Sequence, residues 1–201
     1  MQPRTAHISE DSFLVEQCRR GDSAAMERLI IKYQSRVYNA ILRICANADD
    51  AAELTQETFV KVIENISDFE GRSGFYTWVF RIAVNLTLNY CQRGSRLAFR
   101  SLDAENDEEQ EQAKGALKTV LSSDDSPDPA AVAANKELWQ IVLKALNKLD
   151  DAQRAVIVLR DIEGMNYAQI SEVLEIELGT VKSRLSRARG VLREILEAIV
   201  R

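Results

Sequence analysis

The sequence predicts an all-α protein of two helical domains joined by an acidic flexible linker, with a helix-turn-helix in the C-terminal domain. Hydrophobic residues make up 46% of the 201 residues, enough to bury a core, and only 8 Gly and 3 Pro interrupt the chain. Val and Ile occur among Ala, Leu, Glu and Lys at helical spacing and not in alternating runs, which favours helices over strands. The predicted domains are 1–100 and 136–201, with the linker at 101–135.

The negative charge of the chain is concentrated in the linker region. The formal net charge is −5, and it divides into +1 for residues 1–100, −7 for 101–137 and +1 for 138–201. Acidic residues, two prolines and few apolar side chains indicate a segment that cannot order itself. Two interpretations are open: a solvated spacer, or a segment that mimics nucleic acid inside a basic channel of a partner.

Four helices are predicted ahead of the linker. Gly21 separates the first two, and Asp22 or Ser23 is suited to cap the second. The second carries an apolar stripe typical of a core-facing helix. Acidic residues at the start of the third suit a helix N-terminus, and Gly94 is expected to end the fourth. The predicted bounds are Ser9 or Asp11 to Arg20, Ala24 to Cys45, Asp49 to Ile66, and Phe75 to Arg93.

Four more helices are predicted behind the linker. Asn166 and Gln169 have the spacing of a capping box. Only three residues, 175–177, separate the helix they begin from the last one, which indicates a helix-turn-helix. The predicted bounds are Lys136 to Leu149, Asp151 to Asp161, Tyr167 to Leu174, and Leu178 to Val200.

The last helix divides into an apolar and a basic side. Val181, Leu185, Ala188 and Leu192 form a stripe for burial, and residues 178–193 contain five basic side chains and no acidic one. Lysine, serine and arginine on the opposite side suit the major groove, with the later arginines on phosphates. The plainer interpretation is a solvated basic face on a packing helix.

The segment 71–96 interleaves aromatic residues with arginines. This pattern suits single-stranded DNA, because unpaired bases stack on rings while arginines follow the backbone. We expect Trp78 to serve largely as core, so Asn85 and the loop 69–76 are the better candidates for base reading.

Several classes of function find no support in the sequence. No run of about eighteen apolar residues indicates a membrane span, and the N-terminus lacks a secretory signal. The three cysteines have no metal-binding spacing and the single histidine, His7, has no cluster around it. No catalytic motif is present. We therefore expect a cytoplasmic protein that is not an enzyme, with no cofactor, no metal and no small-molecule substrate.

Three motifs resemble the extracytoplasmic-function (ECF) group of bacterial sigma-70 family factors, most closely the sigma-E and sigma-W type. They are DDAAELTQETFVKV (49–62), DFEGRSGFYTWVFRIAVN (68–85) and LRDIEGMNYAQISEVLEIELGTVKSRLSRAR (159–189), in the order found in the family. Glu177 stands where members often have Ser or Pro. The resemblance implies a promoter-specificity subunit that binds core RNA polymerase, directs it to promoters and promotes DNA melting.

The resemblance also implies roles for individual residues. The contacts implied for the clamp helices of the polymerase largest subunit are Asp50, Glu53, Leu54, Gln56, Glu57 and Phe59. Those implied for the single-stranded −10 element and its melting are Phe69, Arg72, Ser73, Phe75, Tyr76, Trp78, Arg81, Asn85, Asn89 and Arg93. Those implied for the duplex −35 element are Thr180, Lys182, Ser183, Arg184, Ser186, Arg187 and Arg189.

Further partners follow from the same resemblance. The polymerase flap is an implied second contact, and the acidic linker corresponds to a segment that threads towards the RNA exit channel, which favours the mimic interpretation. An anti-sigma factor is typical of the family and could hold the protein at the membrane, without direct membrane insertion of the chain itself. Two rival functions are a stand-alone helix-turn-helix regulator and a helical adaptor; the second would have no use for the basic face at 178–193.

Overall fold

The computed structural model describes residues 10–100 and 141–200, with side chains over 10–93 and 141–198, and every regular element within these ranges is helical. The N-terminal half contains α1 (Glu10–Arg19), α2 (Ser23–Cys45), α3 (Ala48–Asn65), a 3-10 turn (Ile66–Asp68) and α4 (Phe75–Arg100). The C-terminal half contains α5 (helical over 141–146), α6 (Asp151–Ile157), a π-helical turn (Val158–Ile162), α7 (Tyr167–Leu174) and α8 (Leu178–Val200). The all-α prediction is confirmed. The predicted linker and the start of the helix predicted from Lys136 lie outside the described residues.

The helix starts in the N-terminal half follow from side-chain caps. Asp22 accepts hydrogen bonds from the backbone N–H groups of residues 24 and 25, at 2.9 and 3.2 Å. Asn47 does the same for residues 49 and 50, so α3 begins just ahead of its two aspartates. Gly21 has φ +87°, a left-handed conformation that glycine adopts without strain, and it turns the chain from α1 into α2.

Two predicted helix ends are wrong. Gly94 does not end α4, which continues to Arg100. A glycine inside a helix costs only about 1 kcal/mol relative to alanine, and no proline follows to block the backbone ladder. In the C-terminal half, regular helix stops at residue 146 and not at Leu149. There Arg154 donates to the carbonyl oxygens of Leu146 and Leu149, which satisfies the helix end early.

The core runs continuously through both halves of the molecule. In the N-terminal half it is formed mainly by α2 and α4, where Leu29, Ile41 and Phe80 have no exposed surface. In the C-terminal half Leu159 and Ile170 are equally buried, and they belong to the same apolar cluster. No helix among the described residues is both long and apolar enough to cross a membrane.

The two halves pack directly on each other. α4 lies against α7, and α2 lies against α6 and the π-helical turn. One buried guanidinium crosses the boundary: Arg154 is 7% exposed and its Nη1 donates to the carbonyl oxygen of Ile44 at 2.5 Å. Buried polar contact and shared core therefore hold the two halves together.

Candidate nucleic-acid interface

The helix-turn-helix is formed by α7 and α8. Asn166 accepts from the Gln169 N–H at 3.0 Å while the Gln169 side chain accepts from the Asn166 N–H at 2.9 Å, which confirms the predicted capping box. The turn that follows places Glu175 at φ +53°, and α8 then starts with the Val181 N–H donating to the Glu177 carbonyl at 3.0 Å. Glu177, which stands where family members often have Ser or Pro, therefore does not shift the start of α8, and this helix begins at Leu178 as predicted.

α8 has one buried and one exposed side. Val181, Leu185 and Ala188 are at most 2% exposed, and Leu192 is partly buried, which agrees with the predicted stripe. The opposite side is solvent-facing and carries both basic and hydroxyl groups; its exposed members among the predicted DNA contacts are Lys182, Ser183, Ser186 and Arg187. Thr180 is half-buried at the first turn. The helix therefore presents a basic, hydrogen-bonding surface away from the core.

Gly179 and Gly190 lie on the same outward side of α8 as Ser183, because eleven residues make about three helical turns. A Cβ built at either glycine meets no other atom within 4 Å. Packing inside the protein therefore gives no steric reason for glycine at these two positions. Together with Ser183 and Ser186, the two glycines leave only small side chains along the centre of the outward side of α8.

The two remaining arginines of the basic face lie on opposite edges of α8. Arg184 is half-buried and, together with Arg187, lines a shallow open cleft of about 210 Å³ whose other walls are Asp150, Ala152 and Gln153. Arg189 forms an ion pair with Asp161, which raises the pKa of the arginine. Sequence reasoning missed Gln153, because only the fold brings the start of α6 beside α8.

Three of the aromatic residues assigned to DNA are core residues in this structure. Phe69, Phe75 and Trp78 are 4–8% exposed. Their ring centroids lie 5.0–6.0 Å apart, and the Tyr33 ring packs on Phe75 at 5.7 Å. The expectation that they offer rings to bases at the surface is therefore corrected, whereas the expectation that Trp78 serves largely as core agrees with its burial. The cluster fixes the base of the loop that precedes α4.

The polar residues of the same region are more accessible. Arg72 has 85% of its side chain exposed and pairs with Glu70 at the tip of the loop. Arg81, Asn85, Asn89 and Arg93 follow at steps of four along α4 and range from half-buried to exposed, and Ser73 is half-buried in the loop. Steps of four place side chains along one side of a helix. This row, and not the aromatic set, is the surface that could track a single strand.

Tyr76 contacts charged residues and does not belong to this row. Its hydroxyl lies 3.0 Å from the Glu163 carboxylate and 3.0 Å from the Arg36 guanidinium, whose carbon sits 4.7 Å from the Tyr76 ring centroid. Burial, followed by the nearby Glu163 carboxylate, raises the pKa of Tyr76. In this structure the residue belongs to the contact between the two halves.

The predicted polymerase-docking residues also divide into buried and exposed side chains. Leu54 and Phe59 are 6% and 7% exposed, so they are core residues of α3 and their assignment as surface contacts is corrected. Asp50 is half-buried and accepts a hydrogen bond from Tyr90, which raises the pKa of Tyr90 to about 12.

α3 also has an exposed face. Glu53, Gln56 and Glu57 are exposed, and Val60 follows them on the same face. Val60 and its neighbour Ile63 are 51% and 50% exposed. The apolar pair was missed from the sequence, although exposed apolar side chains beside polar ones are a known sign of an interaction site.

The cysteines show no sign of a reactive or metal-binding role. Burial raises the pKa of Cys45 to about 11 and that of Cys91 to about 12, and Cys18 is buried. Within the described ranges, no group of three or more His, Cys, Asp or Glu side chains is placed to hold a metal ion.

Comparison with known proteins identifies the class to which these features belong. Residues 29–97 match the family described as Sigma-70 region 2, and residues 139–192 match Sigma-70, region 4. A helical N-terminal domain of the first type followed by a helix-turn-helix domain of the second defines a two-domain sigma factor.

The relatives narrow this class. The chain is 34% identical to the RNA polymerase sigma-H factor of Pseudomonas aeruginosa over 96% of both chains, and 33% identical to the ECF RNA polymerase sigma-E factor of Escherichia coli over 95% of this chain and 96% of that one. The chain belongs to the extracytoplasmic-function group of the sigma-70 family. This membership removes the stand-alone regulator as an alternative.

Solved structures of sigma factors share the fold. CnrH, in complex with the cytosolic domain of CnrY, is 25% identical with a TM-score of 0.64, covering 94% of this chain and 97% of that one. The sigma factor RpoE from Bartonella quintana, in complex with the anti-sigma factor NepR, is 24% identical with a TM-score of 0.62, covering 85% and 96%. Both were solved with a partner bound.

Proposed function

We propose that this ECF sigma factor reads a promoter through two separate surfaces, one on α8 and one on the loop and outer row of α4. The observation that carries the proposal is the outward side of α8, which combines basic and hydroxyl side chains and lies opposite the buried Val181, Leu185 and Ala188. Such a helix on a helix-turn-helix enters the major groove. Like other sigma factors, the protein acts in transcription initiation without catalysis of its own.

The −35 element is assigned to α8. Lys182, Ser183, Ser186 and Arg187 face outward and are proposed to reach base edges, where lysine and arginine donate to guanine. Arg184 and Arg189 sit on the two edges and are proposed to bind phosphates and fix the register. The low centre formed by the glycines and serines allows the helix backbone to approach the groove floor closely.

The −10 element is assigned to the loop tip and the row along α4. Arg72, Arg81 and Arg93 are proposed to hold the backbone of the melted strand, with Asn85 and Asn89 hydrogen-bonding to extruded bases. The buried Phe69, Phe75 and Trp78 support this surface from below. Their proposed role is to position this surface.

Core polymerase is assigned to the exposed face of α3. Glu53, Gln56 and Glu57 precede Val60 along this face, and Ile63 continues the apolar part of the face by about one turn. Exposed apolar side chains bordered by polar ones are common in protein interfaces. We propose that this face docks on the clamp helices, with the C-terminal domain on the flap, and that an anti-sigma factor controls the protein in the cytoplasm.

Polymerase must supply part of the affinity. Four to six phosphate contacts give a salt slope of about −4 to −5, so binding by the isolated protein fades at physiological salt. One helix-turn-helix module also buries only about 600–1,000 Å². Both surfaces acting together on a polymerase scaffold remove this weakness.

The test is run-off transcription with core polymerase, the full-length protein and a library of random promoter sequences. The expected result is enrichment of sequences with two conserved blocks, and transcription that requires both proteins. Gln56→Ala with Glu57→Ala should lower affinity for core polymerase without changing thermal stability, since both side chains are exposed. Tight, sequence-specific duplex binding without polymerase, or unchanged core affinity in the double variant, would contradict the assignment.

A further inference from the structure

Leu178 is an exposed apolar side chain at the first residue of α8. It is 40% exposed, and among the described residues of the C-terminal half no other large apolar side chain is so exposed. The apolar stripe of the same helix is buried, with Val181 and Leu185 at most 2% exposed. Single exposed apolar side chains are common on proteins, so what distinguishes Leu178 is its place at the start of the helix assigned to DNA.

The position of Leu178 directs its side chain towards the groove end of α8. In an α-helix each Cα–Cβ bond tilts towards the N-terminus, so the side chain of the first residue projects beyond the helix end and not onto a preceding turn. When a helix-turn-helix docks on DNA, the residues nearest the N-terminus of its second helix are those that contact base edges. Leu178 therefore belongs to the part of α8 that comes closest to the bases.

Leu178 shares one edge of α8 with two basic residues. Lys182 follows after four residues and Arg189 after eleven, which is about one and about three helical turns. Four residues rise about 6 Å along the helix axis, and successive base pairs are about 3.4 Å apart. A helix that lies along the groove therefore brings Leu178 within about two base pairs of the base that Lys182 contacts.

The major groove offers one apolar group to such a side chain. Base edges present hydrogen-bond donors and acceptors there, and only thymine adds an apolar group, the methyl on C5. Leucine has no hydrogen-bonding group for the other base edges or for phosphate. The carboxylates of Glu175 and Glu177, both exposed just ahead of Leu178, repel phosphate, which favours a base over the DNA backbone at this corner.

We propose that Leu178 is a specificity-determining residue that packs against the C5 methyl group of one thymine in the −35 element. The inference rests on the assignment of α8 to the −35 element proposed above, and it adds a residue outside the set predicted from the sequence. Lysine and arginine donate to guanine, whereas Leu178 selects thymine over a pyrimidine that lacks the methyl group. α8 thus reads two kinds of base through two kinds of contact.

The test removes the methyl group from the DNA and most of the side chain from the protein. A promoter enriched in the run-off library is prepared with each thymine of its −35 block, on either strand, replaced singly by deoxyuridine, which lacks only the C5 methyl. Competition binding with core polymerase and full-length protein should weaken about threefold to fourfold at one position, the factor expected for one buried methyl group.

Leu178→Ala should remove this dependence on the methyl group. It should weaken binding to the thymine promoter by at least the same factor, and the two changes together should cost little more than Leu178→Ala alone, because both disrupt one contact. Leu178→Met keeps an apolar side chain of similar reach and should retain the sensitivity to deoxyuridine. Ile31→Ala is the matched control, since it truncates an apolar side chain that is 60% exposed on α2 and should leave promoter binding unchanged.

Three results would overturn the inference. They are the absence of any position at which deoxyuridine weakens binding, an undiminished sensitivity to deoxyuridine in folded Leu178→Ala, and a loss of core polymerase affinity in Leu178→Ala without DNA. The last result would place Leu178 at the polymerase flap instead. Failure of the proposed function is distinguishable, because wild type would then enrich no −35 block from the library.

Discussion

Arg187 and Arg189 are expected to act differently on promoter DNA although they stand two residues apart. Arg187 is exposed on the outward side of α8 one turn after Ser183, whose carbonyl accepts its Nε–H at 3.3 Å. A base contact from arginine discriminates by about 1–3 kcal/mol, or about 5- to 150-fold in affinity. Arg187→Ala should lose this factor on the cognate −35 element and little on a scrambled one.

Arg189 lies at the edge of α8 and is half-exposed, with Asp161 as its present partner. Loss of one phosphate contact makes the salt slope shallower by about 0.9, which is a factor of about 3.5 between 50 and 200 mM salt. Arg189→Ala should show this change equally on all sequences. An exposed ion pair is worth about 0–1 kcal/mol, so Asp161→Asn should free the arginine and tighten binding by up to about fivefold.

The assay is fluorescence anisotropy of labelled promoter DNA with polymerase and each variant, at several salt concentrations, on cognate and scrambled −35 sequences. Thermal unfolding serves as the control for folding. The reasoning is refuted if Arg187→Ala and Arg189→Ala weaken all sequences alike, or if Asp161→Asn weakens binding.

Three further predictions concern other parts of the molecule. Glu175→Gly should raise the free energy of unfolding by about 1 kcal/mol, because glycine adopts the left-handed conformation at φ +53° without a Cβ clash; a loss of stability in chemical denaturation would contradict this. Val60→Asp should weaken core polymerase binding at least tenfold at unchanged thermal stability. Ile31→Asp is the control, because Ile31 is an apolar side chain on α2 that is 60% exposed, and it should leave polymerase binding unchanged. Equal losses of binding in the two variants would contradict α3 as the docking face. Cys45 should react with iodoacetamide at pH 8.5 at less than a tenth of the rate of a free thiol. The reason is its raised pKa of about 11, which keeps the thiol protonated until the pH rises well above 9. Rapid labelling of Cys45 in the folded protein would show that the site is not as buried as described.

Local patterns were sufficient for most of the fold. The capping box at Asn166 and Gln169, the bounds of α7 and α8 and the buried stripe of α8 were all predicted and are present. These features depend on residues three or four positions apart, which sequence periodicity records directly. The predicted end of α4 at Gly94 was wrong because a glycine disfavours a helix by only about 1 kcal/mol, which is too little to end the helix by itself.

The site was harder to predict than the helices. Aromatic residues beside arginines suit both a stacking surface and a core, and the sequence does not distinguish them; the structure assigns Phe69 and Phe75 to the core. The same ambiguity affected Phe59 on α3, while the exposed Val60 beside it was overlooked. Periodicity gives the two sides of a helix, but which side the neighbours cover depends on how helices pack.

The sequence by itself determined that this protein is helical, that its last two helices form a helix-turn-helix and that it resembles ECF sigma factors, because each of these conclusions follows from short-range spacing or from ordered motifs. Only the tertiary structure decided how the two halves meet. Glu163 is an unremarkable acidic residue before a glycine in the chain, and its partners Arg36 and Tyr76 lie 127 and 87 positions away. The role of this buried carboxylate depends on charged groups that folding brings beside it, and no local sequence pattern shows contacts between residues so far apart in the chain.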